Sequence, residues 1–152
     1  MGRTWRRHPL PSATVAVAAA AGVLVPGTAA PAESAVPANL VGEWSRTVSL
    51  ANWKHYGAPV YHVGVWTIAI RRSGTVYVYT GLGYPRCRSC VPDLTTRFSV
   101  SGARLTVAAV PVCATKGVYG WKASGRALTL TLIADRGCPP REALFTGVWK
   151  RA

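Results

Sequence analysis

From Gly42 onward, short runs of β-branched, aromatic and other apolar residues alternate with turn residues. Such closely spaced runs predict antiparallel strands, and no stretch has the convincing period of an amphipathic helix. Eight strands are predicted, at about 43–49, 60–71, 75–81, 95–100, 104–110, 117–122, 127–134 and 143–150. Ser-Gly lies in three connections, where glycine can take the positive φ of a hairpin turn. The sequence therefore predicts an all-β chain.

One face of each predicted strand is more apolar than the other, because side chains alternate across a strand. The apolar faces contain Trp66, Ile68, Leu105, Val107, Tyr119, Trp121, Leu128 and Leu130. Strands with one buried face form either a sandwich or a barrel, and closure of a barrel removes both exposed edges. We therefore predict an eight-stranded antiparallel up-and-down β-barrel.

The signature Gly-x-Trp-x-Arg occurs twice, as GEWSR at 42–46 and as GVWKR at 147–151. In a closed barrel the first and last strands are neighbours, so the two copies would lie side by side. The short Ser-Gly turns would all fall at one end. The longer links, at about 50–59, 82–94, 111–116 and 135–142, would fall at the other. We therefore expect a tight end near Gly42 and Arg151, and a loop-rich end opposite.

All four cysteines lie in the longer links: Cys87, Cys90, Cys113 and Cys138. In an exported chain an even number indicates disulfides, with three possible pairings. Cys113 and Cys138 flank one hairpin at similar distances from its turn, so we predict that they pair and that Cys87 pairs with Cys90. The stabilisation expected from the longer bridge is about 3 kcal/mol. Their spacing does not favour a zinc site or a thioredoxin-like redox motif.

The start of the chain is typical of a secretory signal. Arg3, Arg6 and Arg7 precede an apolar run at 13–25, and small residues around Ala32 suit cleavage. The run is shorter than the roughly 20 apolar residues of a membrane-spanning helix. Arg6-Arg7 is a weak indication of twin-arginine export, so the export route stays open. We expect a signal peptide at 1–32, a flexible mature N-terminus at 33–41, a barrel domain at 42–152, and a secreted product without a transmembrane segment.

The chain is strongly basic, with 18 Lys and Arg against 5 Asp and Glu. Removal of 1–32 would take away three arginines and no acidic residue, which lowers the net charge from +13 to +10. This charge favours an anionic cell-wall polymer or an acidic lipid as a partner. Nucleic acid is disfavoured, because export is expected and the basic residues are dispersed along the sequence.

The motifs resemble those of the lipocalins and their calycin relatives. GEW at 42–44 opens the first of eight up-and-down strands, and a basic residue follows the last. In that family the tryptophan plugs the closed end and an arginine from the chain's end packs across it. The resemblance implies these roles for Trp44 and Arg151, beside Gly42 and Trp149. Residues 119–151 also resemble the end of small secreted bacterial lipocalin-like proteins.

The same resemblance implies a binding site for a small molecule inside the barrel. Its predicted residues are Trp66, Ile68, Leu105, Val107, Tyr119 and Trp121 inside, with Tyr84, Arg86 and Arg88 at the mouth. An eight-stranded barrel is just wide enough either to be filled by side chains or to hold one small ligand. An apolar interior with a cationic, aromatic mouth suits a hydrophobic or amphipathic molecule, with an anionic head group.

Two alternatives stay open. One is a basic extracellular or cell-wall interaction protein without a ligand cavity, since no Thr-Asp-Tyr motif and no helix after the last strand are recognised. The other is a barrel cyclase or isomerase, for which the strand faces offer only His62. Asp135 and Arg141 are interpreted as a structural ion pair. No catalytic residue, metal ligand or cofactor is predicted, because carboxylates are few and His55 and His62 lack a clear third ligand. A monomer is expected.

Overall fold

The computed structural model describes residues 35–81 and 90–152. All of them belong to one compact unit, Pro31–Ala152. The predicted signal peptide at 1–32 lies outside the described residues, as do Tyr84, Arg86, Arg88 and Cys87.

Eight antiparallel strands form a closed barrel in which each strand pairs with its neighbours in the sequence. The strands are β1 (Gly42–Val48), β2 (Gly64–Ile70), β3 (Thr75–Thr80), β4 (Leu94–Ser101), β5 (Arg104–Val107), β6 (Gly117–Ser124), β7 (Ala127–Ala134) and β8 (Gly147–Arg151). The barrel closes where β1 pairs with β8, through Trp44 with Arg151 and Ser45 with Lys150. The predicted up-and-down barrel is therefore confirmed.

Two short helices lie in the links at the loop-rich end, where none was predicted. They are α1 (Leu50–His55) and α2 (Pro139–Phe145). A capping box starts α1, because the Ser49 side chain accepts from the Asn52 N–H and the Asn52 side chain accepts from the Ser49 N–H. Prolines occupy the first turn of α2, where their missing N–H is tolerated. Neither helix of the described chain is long or apolar enough to cross a membrane.

The helices and links shift three predicted strand boundaries by three or more residues. The fifth strand ends at Val107, so the predicted end at 110 is wrong. Residues 143–145 belong to α2, so the last strand starts at Gly147 and the prediction of 143 is wrong. The second strand starts at Gly64, four residues later than the predicted 60. Runs of six or seven helical residues are too short for an apolar period to be visible in the sequence.

The core extends to the residues just before the barrel. Residues 33–41 were expected to be flexible; within their described part, Leu40 is completely buried. Its carbonyl oxygen accepts a hydrogen bond of 3.0 Å from the indole Nε1–H of Trp44. Leu40 therefore packs with the core at the tight end.

The predicted disulfide between Cys113 and Cys138 is confirmed, with the two Cα atoms 5.3 Å apart. It joins the link after β5 to the residue that precedes α2. The predicted pairing of Cys87 with Cys90 lies partly outside the described residues.

Candidate ligand-binding cavity at the open end of the barrel

The barrel interior is filled at one level and open at the next. Ile68, Leu105, Val107 and Phe145 are among the residues around a void of about 10 Å³. A void of this size is at the lower limit of what one water molecule needs, roughly 10–15 Å³. Toward the loop-rich end a cavity of about 480 Å³ opens, which we call the mouth cavity. Small-molecule sites commonly measure about 300–1,000 Å³.

The mouth cavity is lined mainly by apolar and aromatic side chains. The apolar lining residues include Trp53, Trp66, Val78, Leu94, Leu144 and Phe145. Polar groups are fewer, and include those of His62, Thr80, Asp93 and Arg141 among the described lining residues. An apolar cavity with a few polar groups is the usual composition of a small-molecule site.

Two tryptophans form one wall of the mouth cavity. Trp53 comes from α1 and Trp66 from β2, and their ring centroids are 6.0 Å apart. Both indole N–H groups donate to the same acceptor, the carbonyl oxygen of His62, at 2.9 and 3.1 Å. Because this carbonyl satisfies both N–H groups, the indoles contribute aromatic surface without a free donor. Tyr61, which is 58% exposed, lies at the rim, and its ring centroid is 5.8 Å from that of Trp53.

A carboxylate lies on the rim next to this wall. Thr80 is the cross-strand partner of Trp66, so both side chains point to the same face of the sheet. The Asp93 carboxylate accepts from the Thr80 N–H at 2.5 Å and from its hydroxyl at 3.0 Å. Asp93 is exposed, so its charge remains in contact with water at the rim.

A buried ion pair ties the loop-rich end together. Asp135 and Arg141 are each 3% exposed, and Arg141 Nε donates to Asp135 Oδ2 at 2.7 Å. Arg141 also donates to the carbonyl oxygen of Thr115 at 2.8 Å, and the Tyr119 hydroxyl donates to Asp135. The predicted structural pair is therefore present. Arg141 lines the mouth cavity, but Asp135 neutralises its charge.

The ionisation of this cluster follows from its burial. Burial alone would lower the pKa of Arg141, but the hydrogen bond and charge of Asp135 more than offset it and raise that pKa. Burial, together with the hydrogen bond to Asp135, raises the pKa of Tyr119 far above its usual range. The arginine therefore stays charged and the tyrosine stays neutral at physiological pH.

Where β1 pairs with β8, the two copies of Gly-x-Trp-x-Arg contact each other reciprocally. The Arg151 guanidinium lies over the Trp44 ring, with Cζ 4.6 Å from the ring centroid. In the same way, Arg46 lies over the Trp149 ring at 5.5 Å. Both indole N–H groups donate at 3.0 Å to the carbonyl of the residue four positions earlier. Each tryptophan is thus covered by the arginine of the other copy.

The glycines of the two copies explain why the signature begins with Gly. A Cβ on Gly42 would lie 2.6 Å from the Arg151 guanidinium, and a Cβ on Gly147 would lie 2.6 Å from Arg46 Nη1. Each glycine therefore makes room for the other copy's arginine. The Arg46 guanidinium also donates to the carbonyl oxygens of Leu144 and Thr146, at the end of α2. The role of Arg46 was not predicted. The available signal was that Arg46 occupies the same position in its copy of the signature as Arg151 does in the other.

The structure distributes the predicted ligand-binding residues over several levels of the barrel. Of those described, Trp66 alone lines the mouth cavity. Ile68, Leu105 and Val107 surround the small void, and Tyr119 contacts Asp135. Trp121 donates from Nε1 to the carbonyl of Gly102, in the tight turn between β4 and β5. Cavity residues missed from the sequence include Val78, Leu94, Leu144 and Phe145, of which the last two come from α2.

The histidines do not gather into a metal site. His62 lies exposed in the link before β2 and lines the mouth cavity, while His55 ends α1. Within residues 35–81 and 90–152, no three His, Cys, Asp or Glu side chains are grouped closely enough to hold a metal ion.

Comparison with known proteins found no matching family model, no matching curated protein and no matching solved structure. The eight-stranded antiparallel up-and-down barrel is consistent with a lipocalin-like fold.

Proposed function

We propose that the chain is a secreted, lipocalin-like binding protein for a small hydrophobic or amphipathic molecule, held in the mouth cavity. The observation that supports this proposal is that the barrel interior is filled by side chains at one level and open toward the loop-rich end. The void of about 10 Å³ gives the cavity a packed base, and about 480 Å³ remains open above it. A ligand would therefore occupy only the loop-rich half of the barrel.

The character of the cavity wall supports an apolar ligand body. Trp53 and Trp66 contribute aromatic surface whose donors are already used by the His62 carbonyl. Leu144 and Phe145, which are 6% and 2% exposed, add apolar surface from α2. Burial of apolar ligand surface is favourable by about 25 cal/mol per Å².

The head group of the ligand is proposed to be anionic. The support is the net charge, which is +10 for residues 33–152 and favours anions electrostatically. Because the Asp93 carboxylate lies on the rim, an anionic head would be held on a part of the rim away from Asp93. The secreted location rests on the predicted signal peptide and suits the disulfide.

The test is the binding of a dansyl-labelled fatty acid, followed by its fluorescence. Leu94 is half-buried and lines the mouth cavity, so Leu94→Trp places a large ring in the ligand volume. The matched control is Ile133→Trp, since Ile133 is 50% exposed on β7. We expect wild type and Ile133→Trp to bind the probe equally, and Leu94→Trp to bind it at least about tenfold more weakly. Equal binding by all three proteins, or none by wild type, would overturn the proposal.

The anionic head group is tested by comparing the labelled fatty acid with a fatty alcohol. A fatty alcohol with the same label and chain length lacks the carboxylate. We expect the acid to bind more tightly than the alcohol at low salt, with a difference that shrinks as salt rises. Tighter binding of the alcohol at every salt concentration would contradict an anionic head group while leaving the apolar site in place.

A further inference from the structure

Basic side chains are concentrated at the tight end of the barrel, opposite the mouth cavity. Each Ser-Gly turn has an arginine within two residues of it. These are Arg72 between β2 and β3, Arg104 at the start of β5, and Arg126 between β6 and β7. In an up-and-down barrel these three turns share one end. With their exposed neighbours they form a surface that we call the cationic cap: Arg72, Arg97, Arg104, Lys122, Arg126 and Lys150.

All but one of the acidic residues of the described chain are placed elsewhere. In the described chain, Asp93, Asp135 and Glu142 lie in the links or the helix of the loop-rich end. Glu43 is the remaining acidic residue of the described ranges, and it forms an ion pair of 3.4 Å with Arg71. Among residues 35–81 and 90–152, no ion pair involves a member of the cationic cap. The cap therefore presents uncompensated positive charge around the tight end.

One part of the cap has the groups that phosphate recognition uses. Arg72 and Arg97 line a surface groove of about 180 Å³, together with Ser73 and Ser99. Arginine matches the geometry of a phosphate with two parallel N–H donors, and hydroxyl groups can add further hydrogen bonds. Four of the six cap residues are arginine.

The cap differs from the usual surface of a membrane-binding protein. Interfacial binding combines positive charge with exposed apolar side chains that enter the lipid. The large exposed apolar residues of the described chain are in the other half of the barrel, mainly Val60, Tyr61, Val63, Val91 and Val112 in the links. Charge without such residues suits a polymer that is bound through its charges alone.

We propose that the cationic cap binds a phosphate-bearing linear polyanion outside the cell. This surface and the mouth cavity lie at opposite ends of the barrel, so the proposal does not depend on the proposed ligand. Binding through several arginine–phosphate contacts releases counterions, so the affinity should fall steeply with salt.

The probe is medium-chain inorganic polyphosphate, and the readout is calorimetric affinity at about 50 and 200 mM salt. The variant Arg104→Glu/Arg126→Glu reverses two charges on the cap. The variant Lys116→Glu/Arg136→Glu makes the same change in net charge at the loop-rich end, where both residues are exposed. We expect the cap variant to lose at least about tenfold in affinity at low salt, and the control to stay within about threefold of wild type.

Three results would overturn the proposal. The first is an equal loss in both variants, which would assign binding to net charge alone. The second is wild-type affinity that is undetectable or independent of salt. The third is binding to vesicles of phosphatidylcholine with phosphatidylglycerol but not to polyphosphate, which would assign the cap to a membrane. A wild-type unfolding transition in urea reports that the barrel of the cap variant is folded, and Arg104→Gln/Arg126→Gln repeats the test without introduced acids.

Discussion

The Arg151 guanidinium lies over the indole ring of Trp44, with Cζ 4.6 Å from the ring centroid. Arg46 has the same relationship to Trp149 at 5.5 Å. The ladder between β1 and β8 contains only two residue pairs, the fewest of any neighbouring strands in the barrel. The two arginine–tryptophan contacts therefore add interactions at the strand pair with the shortest ladder.

Removal of the Arg151 side chain tests this reinforcement. We expect Arg151→Ala to lower the free energy of unfolding by about 1 kcal/mol, because an exposed cation–π contact contributes about 0.5–1 kcal/mol and a hydrogen bond to Val41 is also lost. Lys150→Ala is the control, since Lys150 is also exposed on β8, and should change stability by less than about 0.5 kcal/mol. Denaturant unfolding of both variants measures the difference; equal effects would contradict a stabilising role for the contact.

The close approach of Gly147 to Arg46 predicts a specific coupling. Gly147 has φ +132°, and an added Cβ would contact Arg46 Nη1. Gly147→Ala is therefore destabilising both through its backbone conformation and through this clash. In an Arg46→Ala background only the backbone effect remains. We expect a double-mutant cycle to give a coupling of at least about 0.5 kcal/mol, whereas additive effects of the two substitutions would argue against the close contact.

Physical reasons explain which features of the fold could be predicted from the sequence and which could not. Alternating faces and Ser-Gly turns predicted the strands and the tight end, since both are local properties of the chain. Whether the barrel interior is filled or open depends on which link packs into it. Leu144 and Phe145 of α2 pack into the core, but α2 is too short to show an apolar period in the sequence. Trp53 lies in the link that was predicted at about 50–59. No helix was predicted there, because its capping box has Asn52 where Glu or Gln is usual.

Charge placement was also only partly predictable. Basic residues were expected at the loop-rich end, where Arg141 forms the predicted ion pair with Asp135 and is buried. The arginines beside the Ser-Gly turns gave a signal for the opposite end, since those turns were already assigned to it. Closure of the barrel brings these arginines, distant in sequence, onto one surface.

The Tyr119 hydroxyl predicts a loss of stability at high pH. Its pKa is raised by burial and by the hydrogen bond to Asp135. Above pH 10 an unfolded tyrosine releases its proton while folded Tyr119 keeps it, so the folded state binds more protons and stability falls as pH rises. We expect up to about 1.4 kcal/mol per pH unit from this group above pH 10.

The comparison that isolates Tyr119 uses urea unfolding at several pH values from 8 to 11. Tyr119→Phe should be less stable at pH 8, because Asp135 loses a hydrogen bond, but its stability should fall less steeply above pH 10. Tyr61→Phe removes the hydroxyl of a tyrosine that is 58% exposed and is the matched control. Burial also raises the pKa of Tyr79, so some slope remains in every variant. Identical slopes in all three proteins would contradict the buried, protonated Tyr119.

The Cys113–Cys138 disulfide predicts a large effect on stability. It closes a loop with a sequence separation of 25 residues and holds the start of α2. We expect Cys113→Ser/Cys138→Ser to lower the free energy of unfolding by about 3 kcal/mol. Dansyl fatty-acid binding should weaken as well, since Cys113 lines the mouth cavity. A change in unfolding free energy below about 1 kcal/mol would show that the bridge adds little to the fold.

The most direct test of the half-filled barrel is a titration of the ¹⁵N-labelled protein with the fatty acid, followed through the tryptophan indole N–H resonances. These groups sample both levels: Trp53 and Trp66 line the mouth cavity, while Trp44 and Trp121 donate to Leu40 and Gly102 at the tight end. We predict that the Trp53 and Trp66 signals shift and saturate while those of Trp44 and Trp121 stay in place. Shifts of Trp44 and Trp121 as large as those of the mouth pair, or no shift in any of the four, would contradict a ligand cavity confined to the mouth.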